Sequence, residues 1–393
     1  MPSRLVVILG INPTCFGVIQ NLKEANLEFF LISSEQSRFS NVRVLPFEAG
    51  SDEDDPENLT EFLLRVGRGL NEKGFIIPTN EAEILFLSSK RDHLSQYFEI
   101  SIAKEEALRK IVDKYTLYKE LVRLSVNTPR TVLLESIEPV EITKREIKYP
   151  CLLKPVFSRD WKTAKAYGIV GDQKAIVLRD ELELKACYET VEVLSSRILL
   201  QEIVDVTQNG TYSFCGYTDY SGKVVWGFVT QKILQYPEKF GTALLCQTKN
   251  DPEIYEFGKR VIEKLAVDGI FEVEILRSRD NHSLQVIEIN TRHWLQHRLS
   301  TRLGVNITLL DYYYRMGNRI EAERLLSGVE KDRKPVIWID DVGYLFHCIK
   351  NGFRLQRCRF AALAGKTLEL STWSVTDWRP FYWTLKRKVL GSP

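Results

Sequence analysis

The chain contains the alternating stretch Leu284-Gln285-Val286-Ile287-Glu288-Ile289-Asn290-Thr291-Arg292. Successive side chains of a β-strand point to opposite faces. A strand here therefore places Glu288, Asn290 and Arg292 on one face and turns its isoleucines toward a core. A shorter stretch upstream, Phe271-Glu272-Val273-Glu274-Ile275, alternates in the same way. We predict that these two acidic strands lie side by side.

The pairing of these strands has an electrostatic consequence. If Glu274 lies within about 4 Å of Glu288, the two carboxylates repel each other by roughly 4 kcal/mol at an effective dielectric of about 20. A positive charge must offset this repulsion, and a cluster of carboxylate and amide oxygens suits a hard cation such as Mg²⁺ bound together with substrate phosphates. Alternation alone leaves a second interpretation open, in which the strands belong to an antiparallel sheet with one solvated face.

Composition limits the class of protein. The 393 residues are 44% hydrophobic, enough to bury a large core in two or three domains. The 54 basic and 52 acidic residues nearly cancel, so the net charge of +2 gives no overall footprint for nucleic acid. Seven scattered cysteines without a C-x-x-C pair favour reduced thiols in a cytoplasmic protein. No run of about 18 apolar residues predicts a membrane span.

The order of apolar runs predicts a mixed α/β and α+β fold. Residues 1–110 alternate strands with helices, which is typical of a Rossmann-like α/β domain with a parallel sheet. Residues 111–330 predict an α+β region with a cleft and a smaller lobe over about 140–205, in which we expect a short strand at 167–170. Residues 331–393 predict a small C-terminal subdomain. The acidic run at 52–55 is typical of a solvated loop.

Four stretches, in this order and at familiar spacing, resemble the ATP-grasp superfamily, and within it the carboxylate-amine (carboxylate-thiol) ligases. They are Val112-Asp113-Lys114, Tyr149-Pro150-Cys151-Leu152-Leu153-Lys154-Pro155, Leu199-Leu200-Gln201-Glu202-Ile203-Val204, and Glu274 followed by Glu288-Ile289-Asn290-Thr291-Arg292. The resemblance covers residues 5–320. It implies a pre-ATP-grasp domain at the N-terminus, followed by a two-lobed ATP-grasp domain whose small lobe is mobile.

The lysines are the first candidates for nucleotide binding. Lys154 lies in an apolar strand between prolines, and a buried ammonium needs an anionic partner unless its head reaches water. The resemblance implies that Lys154 contacts the α- or β-phosphate of ATP and that Lys114 is the second lysine. The charged loop Ser158-Arg159-Asp160-Trp161-Lys162-Thr163-Ala164-Lys165-Ala166 replaces the family's glycine-rich run. We assign Lys165 to the γ-phosphate, with a mobile surface loop as the alternative.

The resemblance also implies the other cofactor contacts. Glu202, Ile203 and Val204 would form the hinge that reads adenine through main-chain groups, and Asp205 would hold the ribose. A plain buried strand remains the alternative for the hinge. The metal site implied by the family holds one or two Mg²⁺ ions, with Mn²⁺ as a substitute; its ligands would be Glu274, Glu288 and Asn290.

Two basic residues are candidates for the chemistry itself. By the resemblance, Arg292 would stabilise the transferring group or a tetrahedral oxyanion, and Lys232 would approach the phosphate or the acyl group. His293, Trp294 and His297 would line the acceptor pocket, although each residue type is more often a packing residue.

The resemblance implies a two-step reaction. A small carboxylate, such as that of an amino acid, attacks the γ-phosphate of ATP, and an amine then displaces phosphate from the acyl phosphate. An ATP-grasp kinase or carboxylase and a nucleotide-binding protein without turnover are the alternatives. We expect small-molecule carboxylate and amine substrates, no nucleic-acid or membrane partner, and leave a homodimer open.

Overall fold

The structure is a computed structural model that describes residues 4–33, 42–46, 56–134, 147–171, 173–195, 197–328, 334–351, 366–374 and 376–390. The acidic run at 52–55 and Cys358 lie outside the described residues. Within the described residues the strands form three sheets, of five, four and seven strands. The predicted mixed α/β and α+β class is confirmed.

The N-terminal sheet is entirely parallel, as the strand-helix-strand pattern predicts. Its spatial order is β3-β2-β1-β4-β5, where the strands are β1 Val6–Leu9, β2 Phe29–Ser33, β3 Arg43–Pro46, β4 Gly74–Pro78 and β5 Phe98–Ile100. The helices here are α1 Pro13–Glu24, α2 Pro56–Arg68, α3 Glu81–Ser89, α4 Arg91–Leu94 and α5 Glu105–Ile111. Asn12 caps α1 by accepting the N–H of Cys15, and Asn80 and Glu83 form a capping box on α3. These caps fix two helix N-termini.

The small lobe has its own antiparallel sheet and its own core. The strands, in the order β6-β9-β7-β8, are β6 Thr131–Leu134, β7 Cys151–Pro155, β8 Ile176–Leu178 and β9 Ile198–Glu202. A 3₁₀ turn Ser158–Trp161 and the helices α7 Ala164–Val170 and α8 Glu181–Val191 pack on this sheet. The remaining faces of β7 and β9 turn toward the rest of the protein.

The predicted strand at 167–170 is wrong, because these residues belong to α7. Thr163 caps this helix by accepting the N–H of Ala166. Ala166 and Val170, four residues apart, are buried in the small-lobe core, whereas Tyr167 and Ile169 are exposed. The segment is helical because residues at helical spacing are buried, and the exposed apolar residues between them do not make it a strand.

The large sheet carries the two acidic strands. Its order is β14-β13-β10-β11-β12-β15-β16, and its strands are β10 Val206–Thr218, β11 Val224–Tyr236, β12 Thr242–Lys249, β13 Gly269–Ser278, β14 Leu284–Asn290, β15 Val336–Ile339 and β16 Thr367–Leu370. Strands β13 and β14 pair antiparallel, which confirms the predicted side-by-side arrangement. The C-terminal strand β15 pairs with β12, so the region after residue 331 continues this sheet.

Helices cover the large sheet and join it to the N-terminal domain. They are α6 Lys114–Arg123, α9 Pro252–Lys264, α10 Arg298–Arg302, α11 Ile307–Arg315, α12 Arg319–Ser327, α13 Asp341–Asn351 and α14 Arg379–Leu390. One core runs from β1 and β5 through α5 and α6 to β13 and β14. Gly258 lets α9 approach β10 closely, since a Cβ there would lie 2.4 Å from the Cβ of Phe214.

The six described cysteines are free thiols. None of the helices in the described ranges has the length and apolar character needed to cross a bilayer.

Candidate active site

The register of the large sheet builds one polar row across four strands. Glu288 pairs with Glu274, Glu274 with Ser213, and Ser213 with Thr230. All four side chains line one cleft of about 1670 Å³ between the large sheet and the small lobe. The apolar residues that alternate with the acidic ones on β13 are fully buried on the opposite face. The acidic face is itself enclosed, since Glu272 is buried and the side chains of Glu274 and Glu288 are 17% and 30% exposed. The solvated-face interpretation therefore does not describe these strands.

The acidic cluster in this cleft contains a third carboxylate. Glu272 is buried and accepts a hydrogen bond of 2.9 Å from Nδ2 of Asn290. Oδ1 of Asn290 accepts from the guanidinium of Arg292 at 3.2 Å. Burial, followed by the neighbouring charge of Glu274, raises the pKa of Glu272 to about 7. Glu272 thus orients the Asn290 amide: the amide nitrogen faces Glu272 and the amide oxygen points away from it.

Two lysines pair with the other carboxylates. Nζ of Lys114 lies 4.0 Å from Oε1 of Glu288, and Nζ of Lys232 lies 3.8 Å from Oε2 of Glu274. Burial would raise the pKa of Glu288, but four lysines outweigh it and hold that pKa at about 2; they are Lys114, Lys174, Lys154 and Lys162. Glu288 is therefore ionised at neutral pH.

The small lobe supplies three of the four lysines that lower the pKa of Glu288. Lys154 extends from β7 into the cleft, where burial lowers its pKa to about 8 against the opposing effect of Glu288 and Glu274. Lys162 and Lys174 also line the cleft. The assignment of Lys165 to the γ-phosphate is not supported: Lys165 is exposed on α7 and its Nζ donates to the carbonyl of Val193 at 3.3 Å. Helix formation turns the side chain of Lys165 away from the cleft.

The predicted hinge lies where β9 ends. Glu202, Ile203, Val204 and Asp205 all line the cleft. The N–H of Glu202 donates to the carbonyl of Arg130 at 3.0 Å, so a contact from Glu202 to a base would fall to its carbonyl oxygen. Asp205 is exposed at the cleft edge, where its carboxylate lies 3.4 Å from the guanidinium of Arg279. A ribose contact would compete with this ion pair.

The residues after β14 divide between cleft and core. Arg292 and Trp294 line the cleft. His293 and His297 are completely buried and their rings pack edge to face at 4.9 Å. Burial, aided by the charge of Arg292, lowers the pKa of His293 to about 3, so its ring stays neutral. The two histidines pack beside the cleft and are not among the residues that line it, so their assignment to an acceptor pocket stays a prediction.

Sequence reasoning missed several residues that line the cleft. Glu81, at the start of α3, has its Oε1 buried without a hydrogen-bond partner among the described residues. One face of α14 lines the cleft through Trp383, Thr384, Arg387 and Lys388. Trp383 packs edge to face on Phe16 of α1, with ring centroids 5.6 Å apart. These four residues follow the i, i+1, i+4, i+5 spacing of one helical face, but no signal in the sequence indicates what that face contacts.

The donor chemistry around β13 and β14 fits Mg²⁺. Glu274 and Glu288 are directly paired, and the amide oxygen of Asn290 adds a neutral ligand. No group of three or more His, Cys, Asp or Glu side chains within the described ranges is arranged to hold a metal by itself. The residues present therefore suit a cation that takes its remaining ligands from substrate phosphates and water, which is the usual mode of Mg²⁺.

No family model and no curated protein matches the sequence. The chain is similar in structure to the dimeric biotin carboxylase domain of Hydrogenobacter thermophilus 2-oxoglutarate carboxylase, solved with MgADP, ADP and bicarbonate (TM-score 0.63, 18% identity, 81% of this chain and 70% of that one). It is also similar to N5-carboxyaminoimidazole synthetase from Staphylococcus aureus (TM-score 0.63, 13% identity, 91% and 89%).

A third similar structure is the L-amino acid ligase from Bacillus licheniformis (TM-score 0.60, 13% identity, 80% of this chain and 75% of that one). The chain spans 28% of the length of Rhizobium etli pyruvate carboxylase, to which it is similar over 80% of its own length. At such low sequence identity, structural similarity establishes the fold alone. The chain has the ATP-grasp fold that the sequence predicts.

Proposed function

We propose that this protein is an ATP-dependent ligase that joins a small carboxylate to an amine through an acyl phosphate and releases ADP and phosphate. The observation that carries the proposal is the composition of one cleft. Basic side chains from the small lobe, α6 and β11 face a row of carboxylates on the large sheet. Such a cleft suits a reaction in which anions must be brought together.

The basic residues would neutralise the reacting anions. A carboxylate that attacks the γ-phosphate meets like charge, so positioning and charge neutralisation contribute more than proton transfer does. Lys114, Lys154 and Lys162 would bind the phosphates, and Lys232 and Arg292 would stabilise the transferring group. Glu274, Glu288 and Asn290 would hold Mg²⁺, which when bound supplies further neutralisation of the phosphate oxygens.

An unpaired carboxylate oxygen in the cleft supports an amine as the second substrate. Oε1 of Glu81 is a buried carboxylate oxygen without a partner among the described residues, and it lines the same cleft as Arg292. An unpaired buried acceptor is costly unless a ligand supplies a donor. An amine is such a donor, and Glu81 could also accept its proton as the C–N bond forms.

Two of the similar proteins are named for the classes that this proposal separates. One is an L-amino acid ligase, and another is a carboxylase domain solved with bicarbonate. Bicarbonate is the smallest carboxylate that the same chemistry would activate. An amine acceptor fits both classes, because activated bicarbonate can also be transferred to nitrogen. We propose the ligase because the sequence motifs resemble that branch, and the carboxylase is the alternative outcome of the test.

The test is ADP release over a matrix of carboxylates, bicarbonate included, against amines, with Mg²⁺ and ATP. The ligase requires both an organic acid and an amine for ADP release, and hydroxylamine should trap the acyl phosphate as a hydroxamate. ADP release with bicarbonate as the only effective acid identifies a carboxylase, and release with an acid alone identifies a kinase. Nucleotide binding without turnover over the whole matrix would overturn the proposal of an enzyme.

Matched variants link the activity to the cleft. Glu288→Ala and Arg292→Ala should abolish ATP turnover while the circular dichroism spectrum stays that of the folded protein. The exposed Glu238, at another edge of the same cleft, offers Glu238→Ala as a control that should retain activity. Wild-type rates in both the Glu288 and the Arg292 variants would refute the assignment of the site.

A further inference from the structure

Tyr118 lies where three parts of the protein meet. It belongs to α6, and its hydroxyl contacts Lys154 on the small-lobe strand β7 and the main chain of Ile287 on β14. Nζ of Lys154 donates to the hydroxyl oxygen at 2.7 Å, and the hydroxyl donates to the carbonyl of Ile287 at 2.8 Å. The tyrosine is 3% exposed, so its hydroxyl is largely shielded from water.

The direction of both hydrogen bonds follows from proton counting. Burial raises the pKa of Tyr118 to about 12, so the phenol keeps its single proton at neutral pH. That proton is used by the carbonyl of Ile287, which can only accept. The bond to Lys154 must therefore use an N–H of the lysine, which has three in its ammonium form. Two N–H groups of Lys154 remain for other acceptors in the cleft.

Tyr118 also fixes where the ammonium lies. Besides the hydrogen bond, Nζ of Lys154 is 5.0 Å from the centroid of the Tyr118 ring. A lysine side chain has four rotatable bonds and loses rotamer freedom when its head is held. A buried tyrosine on a helix anchored in the main core is a rigid support for that head. Lys114 lies one helical turn before Tyr118 on α6. The same helix therefore carries Lys114 and, through Tyr118, holds the head of Lys154.

We propose that Tyr118 is a positioning residue that holds the Lys154 ammonium toward the phosphates of a bound nucleotide and ties the small lobe to the strand that carries Glu288. The inference rests on the nucleotide binding in the proposed function. It adds a residue that acts through Lys154 and does not itself touch the nucleotide.

The test compares the affinities of Tyr118→Phe for ADP and for adenosine by isothermal titration calorimetry, in EDTA. Lys154 would contact phosphate and not the nucleoside. Loss of the charged hydrogen bond should therefore weaken ADP binding on the order of tenfold and leave adenosine binding unchanged. Tyr115→Phe removes a hydroxyl from the same helix and should change neither affinity. Equal weakening of ADP and adenosine in Tyr118→Phe would indicate a structural role only and overturn the inference.

A double-mutant cycle tests whether Tyr118 acts through Lys154. In a Lys154→Met background, Tyr118→Phe should have no further effect on ADP affinity, because the group that it positions is absent. The same tenfold loss in both backgrounds would refute the inference. Failure of the wild-type protein to bind ADP would instead refute the proposed function. Wild-type affinity for ADP in Tyr118→Phe would refute the positioning role alone.

Discussion

Replacing Glu288 with glutamine is expected to change ADP affinity in opposite directions with and without Mg²⁺. Burial raises the pKa of this carboxyl, yet the surrounding lysines lower it from the ordinary value of 4.5 to about 2. That net difference, with the opposing effect of burial included, corresponds to about 3 kcal/mol in favour of the ionised carboxylate. The side chain is 30% exposed, so solvent screening reduces the figure to on the order of 1–2 kcal/mol.

ADP phosphates would compete with this carboxylate for the same lysines. In EDTA, Glu288→Gln should therefore bind ADP more tightly than the wild-type protein, by about fivefold for roughly 1 kcal/mol. With Mg²⁺ the carboxylate would be a metal ligand, so the wild-type protein should gain affinity on adding Mg²⁺ and the variant should lose most of that gain. Isothermal titration calorimetry with ADP, in EDTA and in Mg²⁺, measures both effects.

The control for charge is Glu238→Gln, which removes one carboxylate from an exposed position at the cleft edge. It should leave both affinities nearly unchanged, because exposed charges are screened. The reasoning is refuted if Glu288→Gln binds ADP more weakly than wild type in EDTA. It is refuted equally if Mg²⁺ strengthens ADP binding by the same factor in the variant and the wild type.

Three further predictions concern neighbouring residues. The Lys154 ammonium has a pKa of about 8 in the free protein, so wild-type ADP affinity should fall as pH rises from about 7 to 9, a step that calorimetry should not find in Lys154→Met. Glu272→Gln should lower metal affinity about tenfold, because the Asn290 amide loses its charged partner; electron paramagnetic resonance of Mn²⁺ measures this directly. Glu81→Gln should raise KM for the amine about tenfold, since the amine loses an ionic acceptor, and steady-state kinetics at saturating ATP measure this change.

The acidic strands were predictable because strand alternation is a local property. A period of two fixes which side chains of 271–275 and 284–292 share a face, and the short connection between them makes antiparallel pairing the simplest arrangement. The burial of the intervening apolar residues follows from that pattern. The direct pairing of Glu274 with Glu288 does not, because it requires a bulge at Ile287: Ile275 pairs with Val286 and Glu274 with Glu288.

The lysines were less predictable, because their positions depend on which residues of the small lobe are buried. Ala166 and Val170 enter the small-lobe core at helical spacing, and this turns Lys165 toward Val193 and out of the cleft. Lys174 lies beyond the helix, and nothing in the local sequence distinguishes it from an ordinary surface lysine. The α14 face was unpredictable for a related reason: its contact with α1 joins the two ends of the chain.

Glu272 and Glu288 differ in pKa because they face different parts of the protein. Glu272 is enclosed by the large sheet beside Glu274, so burial dominates and its pKa is about 7. Glu288 faces the small lobe, which contributes three of the four lysines that lower its pKa; only Lys114 lies on α6. Any movement of the small lobe away from the sheet would therefore remove three of the four lysines that act on Glu288 and leave Lys114 and Lys232 to offset the Glu274–Glu288 repulsion. Under the proposed function, the phosphates of a bound nucleotide would pair with the lysines and its Mg²⁺ would pair with the carboxylates. Closure of the lobe and binding of the metal nucleotide would then stabilise each other through these charges.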